Sequence, residues 1–162
     1  MTSKTGTTFQ SRRDLAAAVQ TLAMRCAVMR DVAERTGVPP LRSYTPGFAG
    51  LAKIVTGQQL SAASAAAIWA RLAAAIVPFE PAQVLRMDEA QLARLGLSRG
   101  KIKTLRAVAG AGLDFPSLAR SGDAAVVSAL TALHGIGPWT ADIYLLFALR
   151  RADAFPAGDL AL

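Results

Sequence analysis

Apolar positions recur along most of the chain at helical spacing, three and four residues apart. The first run lies over 12–36, where Leu15, Val19, Leu22, Cys26 and Met29 share one stripe. Gly37 ends it, and the Pro39-Pro40 pair makes a stiff linker. A short helix is predicted over 46–55, with Pro46 near its first turn and Gly57-Gln58-Gln59-Leu60 breaking it. Ser61 suits the N-cap of an Ala-rich helix that reaches about Ile76 and is stopped by Pro78. Pro81 opens a short helix, Asp88 caps another with Gln91 at the capping-box position, and Gly96 closes it. Ser98 begins a helix through Lys101 and Lys103 to about Gly112, and Asp114-Phe115-Pro116 reads as a turn. Asp123 is the expected cap of a helix carrying Val126, Leu130 and Leu133 on one face. His134-Gly135-Ile136-Gly137-Pro138 interrupts, and a second helix runs over 138–150 with Ala141, Tyr144, Leu145, Ala148 and Leu149 turned inward. No alternating run is long enough to make a strand. The expected fold is all-α, a bundle-like assembly of many short helices, with residues 1–11 as a loose polar tail and 12–162 as one domain.

Composition narrows the class. A chain of 162 residues, 52% apolar and 18% charged, holds enough apolar material for a real core and excludes disorder. Cys26 is the single cysteine, which excludes a disulfide scaffold and a four-thiolate zinc or iron–sulfur site, and fits an intracellular compartment. The mean hydropathy is positive, +0.34, so a membrane span has to be considered. The most apolar stretch, 62–79, has Arg71 in its middle and alanine as its bulk, whereas a spanning helix needs about 20 strongly apolar residues. It reads instead as a buried Ala-rich helix. Residues 1–10 are polar and hold no signal-peptide core. The net charge of +7 suits a nucleic-acid partner, and equally a well-solvated basic surface.

The Gly135-Ile136-Gly137-Pro138 junction carries more chemistry. Two glycines allow a sharp turn while Ile136 plugs the core, and Pro138 is tolerated in the first turn of the next helix. Backbone N–H groups at that helix start would attract an anion, and on a basic chain the natural anion is a DNA phosphate. The plainer alternative is a helix corner that binds nothing. His134, the only histidine, reads as a hairpin surface residue rather than a ligand or base. Arg99, Lys101 and Lys103 are either phosphate contacts or solvated helix charges.

Leu133-His134-Gly135-Ile136-Gly137-Pro138-Trp139-Thr140-Ala141 resembles the helix-hairpin-helix of base-excision DNA glycosylases, the HhH-GPD superfamily. Phe155-Pro156-Ala157-Gly158-Asp159 resembles that superfamily's Gly/Pro-rich loop ending in the catalytic aspartate. Gly57-Gln58-Gln59-Leu60-Ser61 and Leu95-Gly96-Leu97-Ser98-Arg99-Gly100-Lys101 are similar to segments of the 3-methyladenine DNA glycosylase II branch. The likeness covers about 45–162, and the combination is specific where each piece alone is not. The family continues for several helices, so the domain is expected to be cut short at its C-terminus.

The resemblance implies base excision repair by base flipping and hydrolysis of the N-glycosidic bond of alkylated purines, on double-stranded DNA, by a monomer in the cytoplasm, bacterial in type and associated with the nucleoid. Asp159 would be catalytic. Trp139, Tyr144 and Phe155 would line the base pocket, where an aromatic face favours a cationic base. Gln58, Gln59, Ser61, Gly135, Ile136, Gly137, Thr140 and Lys101 would meet DNA, with Gln59 as the wedge that fills the emptied stack. No cofactor is required; a structural Na+ or K+ would sit on the backbone carbonyls of Thr131, Leu133 and Ile136. Trp139 occupies the position where strand-nicking relatives carry their lysine nucleophile, so no lyase step is expected. Chain lengths permit the pairing: a helix over 139–150 rises about 17 Å, and the residues to Asp159 span up to about 30 Å, enough to bring that carboxylate back to Trp139. The alternatives are a catalytically silent helix-hairpin-helix DNA-binding module, and a glycosylase for oxidised or mismatched bases. Trp139 in place of lysine and the Gln-Gln loop disfavour the last.

Overall fold

The computed structural model describes residues 7–159. Within them lie α1 (Arg12–Arg25), α2 (Ala27–Thr36), α3 (Phe48–Gly57), α4 (Ala62–Ala75), α5 (Pro81–Arg86), α6 (Glu89–Arg94), α7 (Arg99–Gly110), α8 (Phe115–Arg120), α9 (Asp123–Thr131) and α10 (Pro138–Ile143), the last continuing as a π-helical turn, Tyr144–Ala148. Among the described residues the only β pairing is one isolated antiparallel bridge, Thr8 to Arg151, so the all-α expectation holds.

α3 is the centre. Phe48, Leu51, Ala52, Ile54 and Val55 are buried, and α4, α7, α10 and the π turn pack around it. Leu105 and Val108 of α7, Val126 and Leu130 of α9, and Ala141, Leu145 and Ala148 close the same core. Local signals set the helix starts. Ser61 and Ser98 accept from Ser64 and Lys101 N–H. Asp88 and Gln91 complete a reciprocal capping box.

Several expectations change. The helix over 12–36 is two helices, because Cys26 is extended (φ −142°, ψ 119°) and α2 folds back on α1. A helical stripe shared by both halves of a hairpin looks continuous, so periodicity misses a one-residue break. The Ala-rich helix α4 is a surface helix: Leu72 is its buried residue, and most of its alanines face solvent. Alanine reports helix propensity, not burial. Asp114-Phe115-Pro116 starts a helix rather than a plain turn, with Asp114 accepting from Ser117 N–H at 3.0 Å. Gly122, not Asp123, is the N-cap of α9, and Gly47, not Pro46, precedes α3. The polar tail is tied down from Thr7 onward, since Ala152 N–H donates to the Thr7 carbonyl and Phe9 N–H to the Arg150 carbonyl.

That last contact belongs to a buried anchor. Arg151 is 1% exposed. Its Nη2 donates to the Ala119 and Ser121 carbonyls at 2.9 and 3.0 Å, and its Nε lies 3.3 Å from Asp123 Oδ1. One guanidinium thus joins the α8–α9 corner to the start of the loop that leads to Asp159. Removing it strands a carboxylate and two carbonyls, so Arg151→Met is expected to lower unfolding free energy by about 3–5 kcal/mol, measured by urea denaturation; a loss under about 1 kcal/mol would refute the anchor.

Candidate active site and nucleic-acid interface

The hairpin between α9 and α10 is built as its sequence requires. The Leu133 carbonyl accepts from Ile136 N–H at 3.2 Å, and the Ile136 side chain is buried in the core. Gly135 has φ +77°, and a Cβ there would fall onto the Thr104 side chain of α7. Glycine is needed twice over, for the left-handed backbone and for the close approach. Gly137 caps α10, and His134 stays exposed.

The Gln-Gln loop is fastened to this hairpin. Gln58 Nε2 donates to Thr140 Oγ1 at 2.9 Å and to the Gly135 carbonyl at 3.3 Å. Gln58 and Thr140, both expected on DNA, therefore spend their side-chain polarity on each other, and Thr140 is buried. Lys101, another expected DNA contact, donates from Nζ to the Thr56 carbonyl at 2.7 Å, which holds the last turn of α3. Partial burial lowers its ammonium pKa below the usual lysine value. Ser61 serves as a helix cap. Ile136, also expected on DNA, is buried and its N–H is spent on the Leu133 carbonyl, so it offers no donor to a phosphate. Gln59 projects: it is exposed, at the loop tip, with φ +54°.

Trp139 and Asp159 meet. The indole Nε1 donates to Asp159 Oδ2 at 3.0 Å. The chain returns because the π turn ends in a Leu149 N–H to Tyr144 carbonyl bond, Arg150 adopts φ +55°, Arg151 anchors the new direction, and Pro156 is buried. Ala157 and Asp159 N–H then donate to Phe155 and Pro156 carbonyls, both at 2.9 Å, curling the loop end towards Trp139.

Two clefts, each of about 740 Å³, share Trp139 and Asp159. The second is lined by Gln58, Gln59, Leu60 and Gly158 and opens beside the loop tip. The first is aromatic, with Tyr44, Phe147 and Phe155 on its walls together with Lys53 and Arg42. Tyr44 meets Phe147 edge-on at 5.5 Å. Lys53 Nζ stands 4.6 Å from the Tyr44 ring centre, and the Arg42 guanidinium 6.0 Å from that of Phe147. Phe155 lines the cleft as expected and is exposed.

Tyr144 does not line it. It is 1% exposed, its hydroxyl accepts from Gly47 N–H at 2.9 Å, and its ring lies against Phe115. Burial pushes its phenol pKa above the ordinary value. Its place on the inward stripe of the helix decides this: an inward tyrosine reaches α3, not the cleft. Arg42, Tyr44, Lys53 and Phe147 were not foreseen. Lys53 left a trace, as the lone charge in the otherwise apolar run 48–55.

For metals, no cluster of three His, Cys, Asp or Glu side chains occurs among the described residues. The hairpin carbonyls are a different donor set, one a hard monovalent ion accepts, since each carbonyl keeps a second lone pair beyond a turn hydrogen bond such as that at Leu133. No helix among the described residues is long and apolar enough to cross a membrane.

The family model for HhH-GPD superfamily base excision DNA repair proteins matches residues 52–162. DNA-3-methyladenine glycosylase 1 of Schizosaccharomyces pombe is 31% identical over 120 residues, covering 69% of this chain and 53% of that protein. The chain thus spans about half the length of this relative. The solved structure of Schizosaccharomyces pombe 3-methyladenine DNA glycosylase in complex with abasic DNA superposes with a TM-score of 0.66 at 27% identity, over 76% of this chain and 64% of that one. A DNA-3-methyladenine glycosidase from Bacillus halodurans gives a TM-score of 0.71 at 27% identity, over 97% and 73%.

Gly135→Ala is expected to cost at least about 2 kcal/mol, from a strained backbone and overpacking against Thr104. Gln58→Ala is expected to cost about 1 kcal/mol. Urea denaturation of both variants checks the order; equal stability of Gly135→Ala and the parent would contradict the close approach.

Proposed function

The chain belongs to the HhH-GPD superfamily of base excision DNA repair proteins, and from that premise we propose that it is a monofunctional DNA glycosylase acting on alkylated purines of the 3-methyladenine type. The observation that carries this reading is the 3.0 Å bond from Trp139 to Asp159 on the wall shared by two clefts.

A base inside a duplex must leave the stack before its glycosidic bond can be reached. The aromatic cleft supplies surfaces for the extruded ring, with Trp139 nearest the carboxylate. As the bond breaks, the sugar gains oxocarbenium character. Asp159, fixed by the indole N–H, offers a negative charge whose orientation is set before reaction, which is the form of electrostatic stabilisation that costs least to reorganise. Water completes the substitution at the sugar carbon. A purine alkylated at N3 or N7 is cationic and leaves readily.

The hairpin backbone N–H groups of Gly135 and Gly137, which flank the Ile136 plug, are the proposed phosphate seat, and the exposed Gln59 the wedge that fills the gap. A Na+ or K+ on the carbonyls of Thr131, Leu133 and Ile136 would stiffen that seat. Trp139 stands where a lysine nucleophile would have to be, so the product is an abasic site without strand cleavage. Acting on genomic DNA, it would work in the cytoplasm on the nucleoid, as a monomer.

Asp159→Asn is expected to slow base release from methylated duplex DNA roughly 10²–10³-fold while DNA affinity is kept. Release by neither protein, with binding by both, would instead support a silent binding module. Borohydride is expected to trap no covalent DNA adduct; a trapped adduct refutes the monofunctional assignment. DNA affinity is expected to fall as salt rises, with log affinity linear in log salt.

A further inference from the structure

The aromatic cleft carries a positive charge that a site built only for cationic bases would not keep. Lys53 lies on the central helix α3 between the buried Ala52 and Ile54, and is half-buried itself. Its ammonium has a fixed station 4.6 Å from the Tyr44 ring centre. Tyr44 in turn is held to Phe147 by an edge-on contact and by a 2.9 Å bond from its N–H to the Phe147 carbonyl. Among the described residues no carboxylate forms an ion pair with Lys53. Lys53, Tyr44, Phe147, Trp139 and Asp159 line one cleft. Lys53 faces Tyr44, and Arg42 stands over Phe147, so cations already use the attraction of those rings.

We propose that Lys53 extends the reach of this cleft from adducts with a permanent positive charge to neutral alkyl adducts such as bridged etheno-purines. The proposal rests on the glycosylase reading above. When a neutral base is released, the bond from sugar C1′ to the base nitrogen breaks and its electron pair stays with the base. Water oxygen bonds to C1′, and a water proton ends on the freed base. Until that proton arrives the base carries negative charge, and the Lys53 ammonium stabilises it. A cationic base takes the same pair and becomes neutral. Lys53 repels it beforehand, and that repulsion is relieved as the bond breaks, so for a cationic base the gain in rate is first lost in affinity. Charges in a half-buried cleft interact over several ångströms at an effective dielectric far below that of water. Lys53 therefore raises the ratio of rate to half-saturation for neutral adducts and leaves that ratio nearly unchanged for cationic ones.

The test is single-turnover base release from duplexes carrying one ethenoadenine or one 7-methylguanine, with the parent protein, Lys53→Met and Lys53→Arg. Lys53→Met is expected to slow ethenoadenine release about tenfold. Its 7-methylguanine rate should also fall while half-saturation moves to lower protein concentration, so that the ratio of rate to half-saturation changes by less than about twofold, against about tenfold for ethenoadenine. Lys53→Arg, which keeps the charge, is expected to keep the parent's ratio for both substrates. An equal fall of that ratio for both substrates with Lys53→Met, or no fall for ethenoadenine, overturns the proposal and leaves the glycosylase reading standing. Release of neither base by the parent protein overturns that reading itself.

Discussion

The hydrogen bond from the Trp139 indole to Asp159 closes a circuit on which the site depends. Its partners are twenty residues apart in sequence, and each link between them serves the closure. α10 carries Trp139 at its start. The π turn adds a residue to the helical register before the chain leaves it, and such turns recur at functional sites. Arg150 then takes the left-handed conformation that reverses the chain. Arg151, buried and bonded to the α8–α9 corner, fixes where the return begins. A carboxylate held this way has lost its rotamer freedom during folding, so under the proposed function none would be left to lose on binding DNA.

The same economy governs the nucleic-acid face. Polar residues whose types suit DNA are spent inside the protein: Gln58 on Thr140 and Gly135, Lys101 on Thr56. Together with the close approach of Gly135 to Thr104, these contacts lock the Gln loop, the hairpin and α7 into one surface. Hairpin backbone and the tip residue Gln59 are left to face outward. Backbone contacts ignore sequence, as the proposed search of any duplex for a damaged base would require.

Legibility in the sequence depends on range. Signals acting within one turn were readable: the caps at Ser61, Asp88 and Ser98, the stop at Gly96, the glycine hairpin with its Ile136 plug. The pairing of Trp139 with Asp159 was readable from the family resemblance plus chain length. Features settled by distant partners were not. Cys26 looks like one more helical position until α2 folds onto α1. Alanines in α4 look like core until no second layer covers them. Tyr144 looks like a pocket aromatic until Gly47 claims its hydroxyl. Tyr44 and Phe147 reach the cleft from segments about a hundred residues apart, and no local pattern announces such a meeting.

The charges around the cleft divide along the bond to be broken. Asp159 is the negative group, held at the loop end beside Trp139, where an oxocarbenium sugar would gain from it. Lys53 and Arg42 are the positive groups, over the aromatic wall where the base would lie. Bond cleavage moves electrons from sugar to base, and this arrangement sets a field along that movement. A field of that sense lowers the barrier for either kind of base, because each takes up the same electron pair. For a cationic base the gain is offset by repulsion before the bond breaks; for a neutral base, whose release is intrinsically harder, it is not. Under the proposed function the lone charge on α3 therefore stands where the harder reaction gains from it.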